Sequence, residues 1–359
     1  ACLLLALATS VRGQDKDPTY DGKTFAQWVG VLQNDKSARQ RALAVEALGK
    51  VWIAEPKTDA LSYVVTTLRD DPSPAVRAQS AIVLAGLRET DMLKYAATPL
   101  VEALKKEKDS RVRKEIVAAV AKHPGVCVSG VEPLAGVLGD PDAAVRAAAA
   151  DALALAGEKA KSAAGDLLPL LKDEDKRVKL SAIYALGRIK PDGASTIAET
   201  MAGLLATSKD TDVRRELIRS LGLLGEASDP VVKGLAALLS DKEDEELRRA
   251  AVRTLGTFGT SAGGAADALF KVVKEDKAKD VRVDAVRSFG SALGKEGVKA
   301  RLKDLRPQLD PVAQPDFEVR LALVEEIGAL GYEHLGADLT ATDSAVKAEA
   351  QETLRALRI

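Results

Sequence analysis

The segment Asp140–Gly157, DPDAAVRAAAADALALAG, decides the fold of this chain. Half of its residues are alanine, and it offers few reactive side chains. Its information lies in an outline: an aspartate, a basic residue six positions later, and a leucine-like residue seven positions after that. The same outline recurs along the whole chain.

The basic residue of each copy is an anchor by which the copies can be compared. Successive anchors lie 27 to 38 residues apart, and most spacings fall between 33 and 36. A repeat in the range of roughly 20 to 50 residues is typical of a solenoid or propeller array. The ten anchors are Arg41, Arg77, Arg113, Arg146, Lys179, Arg214, Arg248, Arg282, Arg320 and Lys347.

Each period contains two patterns with helical spacing of apolar residues. The first helix is predicted from segments such as FAQWVGVLQ from Phe25, TPLVEALKK from Thr98, DLLPLLKD from Asp166 and PVVKGLAALL from Pro230. A turn rich in Asp, Pro and Lys follows, and the second helix begins near the anchor, as in VRAQSAIVLAGL from Val76. We therefore predict an all-α fold, an α-α superhelix of about ten helical hairpins.

Three residue types in the outline have predicted structural roles. Aspartates lie six or four residues before the anchors, where they are expected to cap the second helix, and each anchor cation is expected to reach the aspartate of an adjacent repeat. Alanines allow helices to approach closely. Glycines after the second helix are expected to be left-handed C-caps. These glycines are Gly49, Gly86, Gly157, Gly187, Gly225 and Gly259.

The outline D-x-x-x-x-V-R-x-x-A-A-x-x-L-G resembles HEAT repeats, especially the short HEAT-like repeats of the phycobilisome-lyase type. The resemblance is fullest at Asp140–Ala154 and Asp71–Ala85 and covers about residues 24–357. It implies a superhelical scaffold that binds partners, although a fold alone does not fix a function. The opening TYDGKTFAQWVGVLQND is also similar to the start of exported bacterial HEAT-repeat proteins.

The N-terminal segment ACLLLALATSVRG predicts the remaining apolar part of a signal peptide at residues 1–13, with a frayed helix as the alternative. Residues 14–23 are expected to be a polar linker and residues 24–359 the repeat solenoid. On this interpretation the protein is exported, to the periplasm or beyond the cell. The apolar run is shorter than the roughly 20 residues of a membrane span.

The formal net charge of −1 gives no overall field that would favour nucleic acid or a membrane surface. Motifs for chemistry are weak. GTSAG at residues 259–263 fits the nucleophile elbow of hydrolases, but Ser261 follows a helix instead of a strand, and His334 is the one histidine after it. His123 and Cys127 could supply two metal ligands, the alternative being a turn. We predict no catalytic residues, no cofactor and no metal.

The most informative surface is the set of positions five residues after each anchor. Asp151 and Ile183 stand in this column before Arg219, Arg253 and Arg287, and Arg215 and Arg249 lie one helical turn earlier. These five arginines form a candidate site for an acidic protein segment on the concave face, because Arg binds carboxylates bidentately. The alternative is a solvated face balanced by nearby Glu216, Glu245, Glu246 and Asp284.

Two other features leave a choice between binding and structure. Half of the aromatic residues lie in the first part of the chain, where they either form an interaction hot spot or close the end of the core. These are Tyr20, Phe25, Trp28, Trp52, Tyr63 and Tyr95. The insertion from Arg306 to Asp316 is either a recognition loop or a long turn. The sequence thus favours a non-catalytic interaction scaffold over an enzyme, or an enzyme accessory, that uses the solenoid as a platform; its oligomeric state is left open.

Overall fold

A computed structural model describes residues 19–56, 59–240 and 242–328, together with Ala348, Gln351 and Arg355. The contacts divide the chain into two compact units, Ala1–Gly136 and Val137–Ile359. The proposed signal segment and the tenth anchor, Lys347, lie outside the described residues, as does His334. No helix in the described part is long and apolar enough to cross a membrane.

The first unit opens with a small antiparallel hairpin of β1 (Thr19–Tyr20) and β2 (Lys23–Thr24). Asp21 and Gly22 form its turn with positive φ angles of 48° and 74°, a conformation that suits Gly and short polar residues. Thr24 then caps α1 in a reciprocal capping box with Gln27. Part of the predicted polar linker is therefore ordered structure, because its D-G pair sits in a hairpin turn.

Most α-helices of the first unit follow in pairs. The helices are α1 (Phe25–Asn34), α2 (Ala38–Ala54), α3 (Ala60–Asp70), α4 (Pro74–Leu84), α5 (Glu89–Asp91), α6 (Ala97–Lys106), α7 (Ser110–Ala121), α8 (Pro124–Ser129) and α9 (Val131–Gly136). A π-helical turn at Met92–Ala96 joins α5 to α6. The predicted helix from Thr98 is therefore α6.

The second unit continues the same alternation. Its α-helices are α10 (Ala143–Ala156), α11 (Ala164–Leu167), α12 (Lys176–Ile189), α13 (Ala194–Thr207), α14 (Thr211–Leu224), α15 (Asp229–Ala237), α16 (Glu245–Thr257), α17 (Ala266–Glu275), α18 (Lys279–Ala300), α19 (Leu302–Leu305) and α20 (Phe317–Gly328). Segments of 3-10 helix occur at Gly157–Ala163, Leu168–Lys172, Gly259–Ala265 and Arg306–Leu309. The predicted helix from Asp166 is thus split; Pro169, which lacks an N–H, lies in its 3-10 half.

Within each unit, the second helices of successive hairpins pack side by side. In the first unit α2 contacts α4 and α4 contacts α7, and in the second unit contacts run from α10 through α12, α14, α16 and α18 to α20. The core between the helices consists of small and aliphatic side chains such as Ala149, Leu153 and Ala182, all fully buried. The all-α solenoid predicted from the sequence is confirmed.

The anchor arginines join the turn of one repeat to the turn of the next. Arg146 donates from Nη1 to the carbonyl of Asp140 in its own turn at 2.7 Å, and from Nε and Nη2 to the carboxylate of Asp173 in the next turn at 2.9 Å. Such bidentate pairs are among the strongest side-chain contacts in proteins. We call the recurring contact the arginine ladder. Its described pairs are Arg41–Asp71, Arg77–Glu107, Arg146–Asp173, Arg214–Glu243, Arg248–Asp276 and Arg282–Asp316.

The two sets of aspartates have different roles. Asp142, four residues before its anchor, accepts a hydrogen bond from the N–H of Ala144 and caps α10. Asp140, six residues before the anchor, instead accepts from the N–H of Asp142 and so closes the turn. The prediction that both sets cap the helix is therefore right only for the nearer set, because the earlier residue lies two positions before the N-cap. The confirmed caps are Asp109, Asp142, Asp175, Asp210 and Asp244.

The glycines also divide into two groups. Gly225 has the left-handed conformation at the end of α14, as predicted, and Gly157 and Gly259 have positive φ angles where they end or follow helices, although the ψ of Gly157, −138°, lies outside the left-handed region. Gly49 and Gly187 instead lie inside α2 and α12, and Gly86 also lacks a positive φ. A Cβ added to Gly187 would lie 2.9 Å from the Cβ of Ser220 and 3.0 Å from its Cα. The prediction of a C-cap is wrong at these internal sites, where the glycine instead permits close approach of the next second helix.

Replacement of Gly187 by alanine should destabilise the fold by about 1–3 kcal/mol, because the added methyl group overpacks the contact with α14. The matched control is Gly203→Ala in α13, where an added Cβ meets nothing within 4 Å and the helix gains up to about 1 kcal/mol. Urea unfolding of both variants measures these changes. Equal stability of the two variants would contradict the close-approach role.

Removal of a buried ladder arginine should lower the free energy of unfolding more than replacement of Gly187 does. The side chain of Arg248 is 1% exposed and that of Asp276 is 4% exposed. Burial acts to raise the pKa of Asp276, but hydrogen bonds from Arg248 and from the N–H of Ala278 outweigh it and hold the pKa below its usual range. The carboxylate therefore contributes stability above an unfolded-state pKa near about 4, and this contribution is lost as the pH falls through the lower folded-state pKa.

Arg248→Ala leaves this carboxylate buried without its partner, so we expect a loss of roughly 3–5 kcal/mol in the free energy of unfolding at pH 7. Urea titration measures the loss. The control is Arg69→Ala, since Arg69 pairs with Asp70 at an exposed site and its removal should barely move the midpoint. Similar losses in the two variants would show that burial of the ladder is not what matters.

Candidate interaction surface

The five predicted arginines all lie in the second unit, on three successive second helices. Arg215 and Arg219 belong to α14, Arg249 and Arg253 to α16, and Arg287 to α18. We call these five residues the arginine surface, and the set of positions five residues after each anchor the column. The described structure brings them together on packed helices, as the spacing predicts.

Two contacts show that column residues of adjacent repeats are neighbours in space. The guanidinium carbon of Arg219 lies 4.5 Å from the ring centroid of Tyr184 on α12. Nη2 of Arg287 lies 3.9 Å from Oε2 of Glu325 on α20. At these two junctions of the second unit, the column residues of adjacent repeats therefore lie side by side.

Tyr184 is the column residue that the sequence analysis missed. Five residues after Lys179 stands Tyr184, not Ile183, and Ile183 is fully buried in the core. The tyrosine ring lies under the Arg219 guanidinium, a favourable cation–π arrangement. The position is nevertheless encoded in the sequence. Tyr184 is five residues after the anchor Lys179, and residues at the same distance from their anchors lie on the same face of each second helix.

Each arginine of this surface contacts at least one carboxylate. Arg219 pairs with Glu216 at 2.7 Å, and Arg249 and Arg253 each donate from Nε to Asp284 at 2.7 Å. Six carboxylates thus accompany five guanidinium groups, so the surface is locally close to neutral. The carboxylates are Asp212, Glu216, Glu246, Asp280, Asp284 and Glu325.

Four of the six carboxylates, Asp212, Glu246, Asp280 and Glu325, are more than half exposed, but at Arg219 and Arg253 the cation is the outer group. The side chain of Arg219 is 53% exposed, whereas that of its partner Glu216 is 18% exposed. Arg253 is 59% exposed above Asp284, which is 12% exposed. The column arginines therefore stand between these two carboxylates and solvent. A ligand approaching the column at these repeats would meet guanidinium groups first.

The carboxylates also fix the arginines in place. The hydrogen bond that Arg219 donates to Glu216 is the largest influence on the pKa of Arg219, which is raised further above its usual value. Asp284 has the same effect on the pKa of Arg249. Both guanidinium groups are therefore held charged and oriented. Their side chains then lose less conformational entropy when a ligand binds.

The sequence motifs for chemistry do not form a site in the described residues. Ser261 lies exposed in the 3-10 helix Gly259–Ala265, which follows α16, so no strand presents it as a hydrolase nucleophile. His123 is buried at the start of α8, and the Cys127 thiol donates to the carbonyl of Val120 at 3.4 Å. Within the described part of the chain, no cluster of three or more His, Cys, Asp or Glu side chains could hold a metal ion.

Three shallow cavities lie near the turns between hairpins. Their volumes are about 290, 340 and 420 Å³. The first lies between α3 and α6 over Val65 and Pro99, the second between α15 and α17, and the third beside α1 and α3. None of the three is lined by His123 or Ser261, so these cavities do not gather the candidate catalytic groups.

The N-terminal aromatics serve mainly to close the core. Trp28 and Trp52 are 4% and 6% exposed. Trp28 donates from Nε1 to the carbonyl of Tyr20 at 2.8 Å, and Trp52 packs edge-to-face against Tyr95 at 5.2 Å. These contacts favour the capping interpretation. In the insertion from Arg306 to Asp316, buried Gln314 donates to the carbonyl of Val273 at 3.1 Å, which fastens one end of a long turn.

The fold defines a class of α-helical repeat solenoids, and comparison with known proteins identifies the family. A model of HEAT repeats matches residues 26–121, 131–222 and 197–290. The chain therefore belongs to the HEAT-repeat family. No curated protein matches it closely enough to be a relative.

Two solved structures of similar fold are an engineered and a designed protein. One engineered protein is 23% identical over 93% of this chain and 99% of its own, with a TM-score of 0.61. A designed armadillo repeat protein is 21% identical over 56% of this chain and 99% of its own, with a TM-score of 0.45. The first of these likenesses supports the solenoid fold.

The environment of Cys127 predicts an unreactive thiol. Burial raises the pKa of Cys127 to about 11, so only about one molecule in a thousand carries the thiolate at pH 8, and the thiolate is the reactive form. We expect a Cys2→Ser variant to show no rapid reaction with Ellman's reagent when folded and one thiol per chain in denaturant. Rapid reaction of the folded variant would show that Cys127 is accessible.

Proposed function

We propose that this HEAT-repeat protein is a non-catalytic interaction scaffold that binds an acidic segment of a partner protein along the exposed, concave face of its second helices. The observation that carries the proposal is the occurrence of arginine at the same column position in three successive repeats. A solenoid presents equivalent positions in a row, so such a run forms an extended surface for an extended ligand. Repeat solenoids of this kind are typical of protein-binding scaffolds.

The existing carboxylates do not prevent binding of an acidic ligand. A guanidinium has five N–H donors. The hydrogen bond from Arg253 to Asp284 uses Nε, which leaves the four Nη–H groups outside that bond. Asp284 also serves both Arg249 and Arg253, so one carboxylate is divided between two cations. A carboxylate from a partner would complete the coordination of Arg253 without displacing Asp284.

Charge reversal at the column should weaken this binding. In the variant Arg219→Glu with Arg253→Glu, we expect the affinity for a fluorescent oligoglutamate peptide to fall by about 10-fold or more, because two favourable ion pairs become repulsive. Fluorescence anisotropy at low and at physiological salt measures the change. The salt dependence of binding should also become weaker.

The matched control places the same charge changes on first helices of the same unit. Lys233 on α15 and Lys271 on α17 are 79% and 73% exposed, so Lys233→Glu with Lys271→Glu alters the net charge equally while leaving the column intact. Binding should stay close to that of the parent protein. An equal loss in both double variants would point to net charge alone, and no loss in the column variant would remove the proposal.

A further inference from the structure

The column does not carry the same charge along its whole length. At the position of the arginines, α10 carries Asp151 and α12 carries Tyr184. The order along the packed helices of the second unit is therefore Asp151, Tyr184, Arg219, Arg253 and Arg287. The change of sign across one aromatic residue gives this surface two chemically different ends.

Asp151 differs from the other carboxylates near the column. It is half-buried, and the hydroxyl of Ser181 is the neighbouring polar group that acts to lower its pKa. Burial raises the pKa of Asp151, while Ser181 and the more distant charge of Arg177 oppose the rise. In the described part of the chain no Lys or Arg nitrogen lies within the 4.0 Å of an ion pair with Asp151, whereas Glu216 pairs with Arg219, and Asp284 pairs with both Arg249 and Arg253. A cation from outside would supply this missing partner.

The packing of the helices sets the distances that a ligand must match. Packed helices lie about 8–10 Å apart, and column residues of adjacent repeats are in contact at Tyr184 with Arg219 and at Arg287 with Glu325. An extended chain rises about 3.3 Å per residue. One repeat therefore corresponds to about three residues of an extended ligand, and the two repeats from Asp151 to Arg219 correspond to about six.

We infer that the column recognises an extended segment with a bipolar pattern: a basic residue beside Asp151, then acidic residues facing Arg219, Arg253 and Arg287 at about every third position. This inference rests on the proposed function, since it specifies the ligand of the same surface. Tyr184 lies under the intervening residues, and Glu325 beyond Arg287 limits the acidic stretch at the other end. Recognition depends on spacing as well as on charge.

Two synthetic peptides of equal length test the basic end. Both carry three glutamates about three residues apart on a neutral Ser/Gly background. About six residues before the first glutamate, one peptide has lysine and the other glutamate. We expect the parent protein to bind the lysine peptide about 3-fold or more tightly than the other, measured by anisotropy, because it gains an ion pair at a half-buried carboxylate.

Variants at Asp151 make the test specific. Asp151→Lys should invert the preference between the two peptides, and Asp151→Asn, which keeps the shape and a hydrogen-bonding group for Ser181, should bring the ratio close to one. Far-ultraviolet circular dichroism and thermal melting check that both variants fold. If either variant keeps the parent's preference, Asp151 does not bind the basic residue and the inference is overturned.

A third peptide, with its glutamates two residues apart and the same composition as the lysine peptide, tests the spacing. Its affinity should be about 3-fold or more lower than that of the lysine peptide, because the spacing of its glutamates does not match the spacing of the column arginines. If the three peptides bind the parent protein alike and Arg219→Glu with Arg253→Glu still weakens them all, the bipolar pattern is wrong and the acidic-segment proposal stands. If that double variant leaves all three unchanged, the proposed function itself fails.

Discussion

The guanidinium groups of five of the six described ladder arginines contact two turns at once, and the rest of the structure depends on this contact. Arg146 shows it most simply. Its Nη1 donates to the carbonyl of Asp140 in its own turn, and its Nε and Nη2 donate to the carboxylate of Asp173 in the next turn. That carboxylate also accepts from the N–H of Asp175 and closes its turn. The position of each second helix is thereby fixed relative to its neighbour, and so is the rotation of the face that it exposes. Without that fixed rotation, residues 34 positions apart in sequence could not form a row.

Small residues complement the ladder at the opposite end of the second helix. Gly187 allows α12 and α14 to approach so closely that even a methyl group would meet the backbone of Ser220. Ionic contacts hold the turns and van der Waals contacts hold the helix ends, so the packed helices have little freedom to slide. The rigidity of the exposed column follows from these two contacts. The recognition proposed above requires such rigidity, because the surface has no deep pocket that could impose a spacing on a ligand.

The sequence predicts the role of a residue well where the same residue type recurs from repeat to repeat. It predicts the role less well where that role depends on a residue of the next helix. The arginine–carboxylate pairs and the nearer aspartate caps follow from their recurrence alone. The part played by Gly187 could not be read in the same way, since a glycine after a leucine looks alike at a helix end and at a crossing, and only Ser220 on the next helix distinguishes them. The sequence identifies the candidate surface by its charged residues. It does not show which of those residues lie next to solvent and which lie beneath them. The covering of Glu216 and Asp284 by Arg219 and Arg253 depends on side-chain conformations that spacing does not encode.

The ladder also gives the array a polarity like that of a head-to-tail polymer. Each repeat offers an arginine to one side and a turn carboxylate to the other, as Arg41 and Asp71 do, and Arg77 and Glu107 after them. Because the junctions with a described ladder pair use the same two chemical ends, a copy of such a repeat inserted between two others would meet a matching partner on both sides. Gene segments that encode whole repeats could therefore be duplicated or lost without a broken junction. The number of repeats, and with it the length of the surface offered to a partner, is then free to change by whole units.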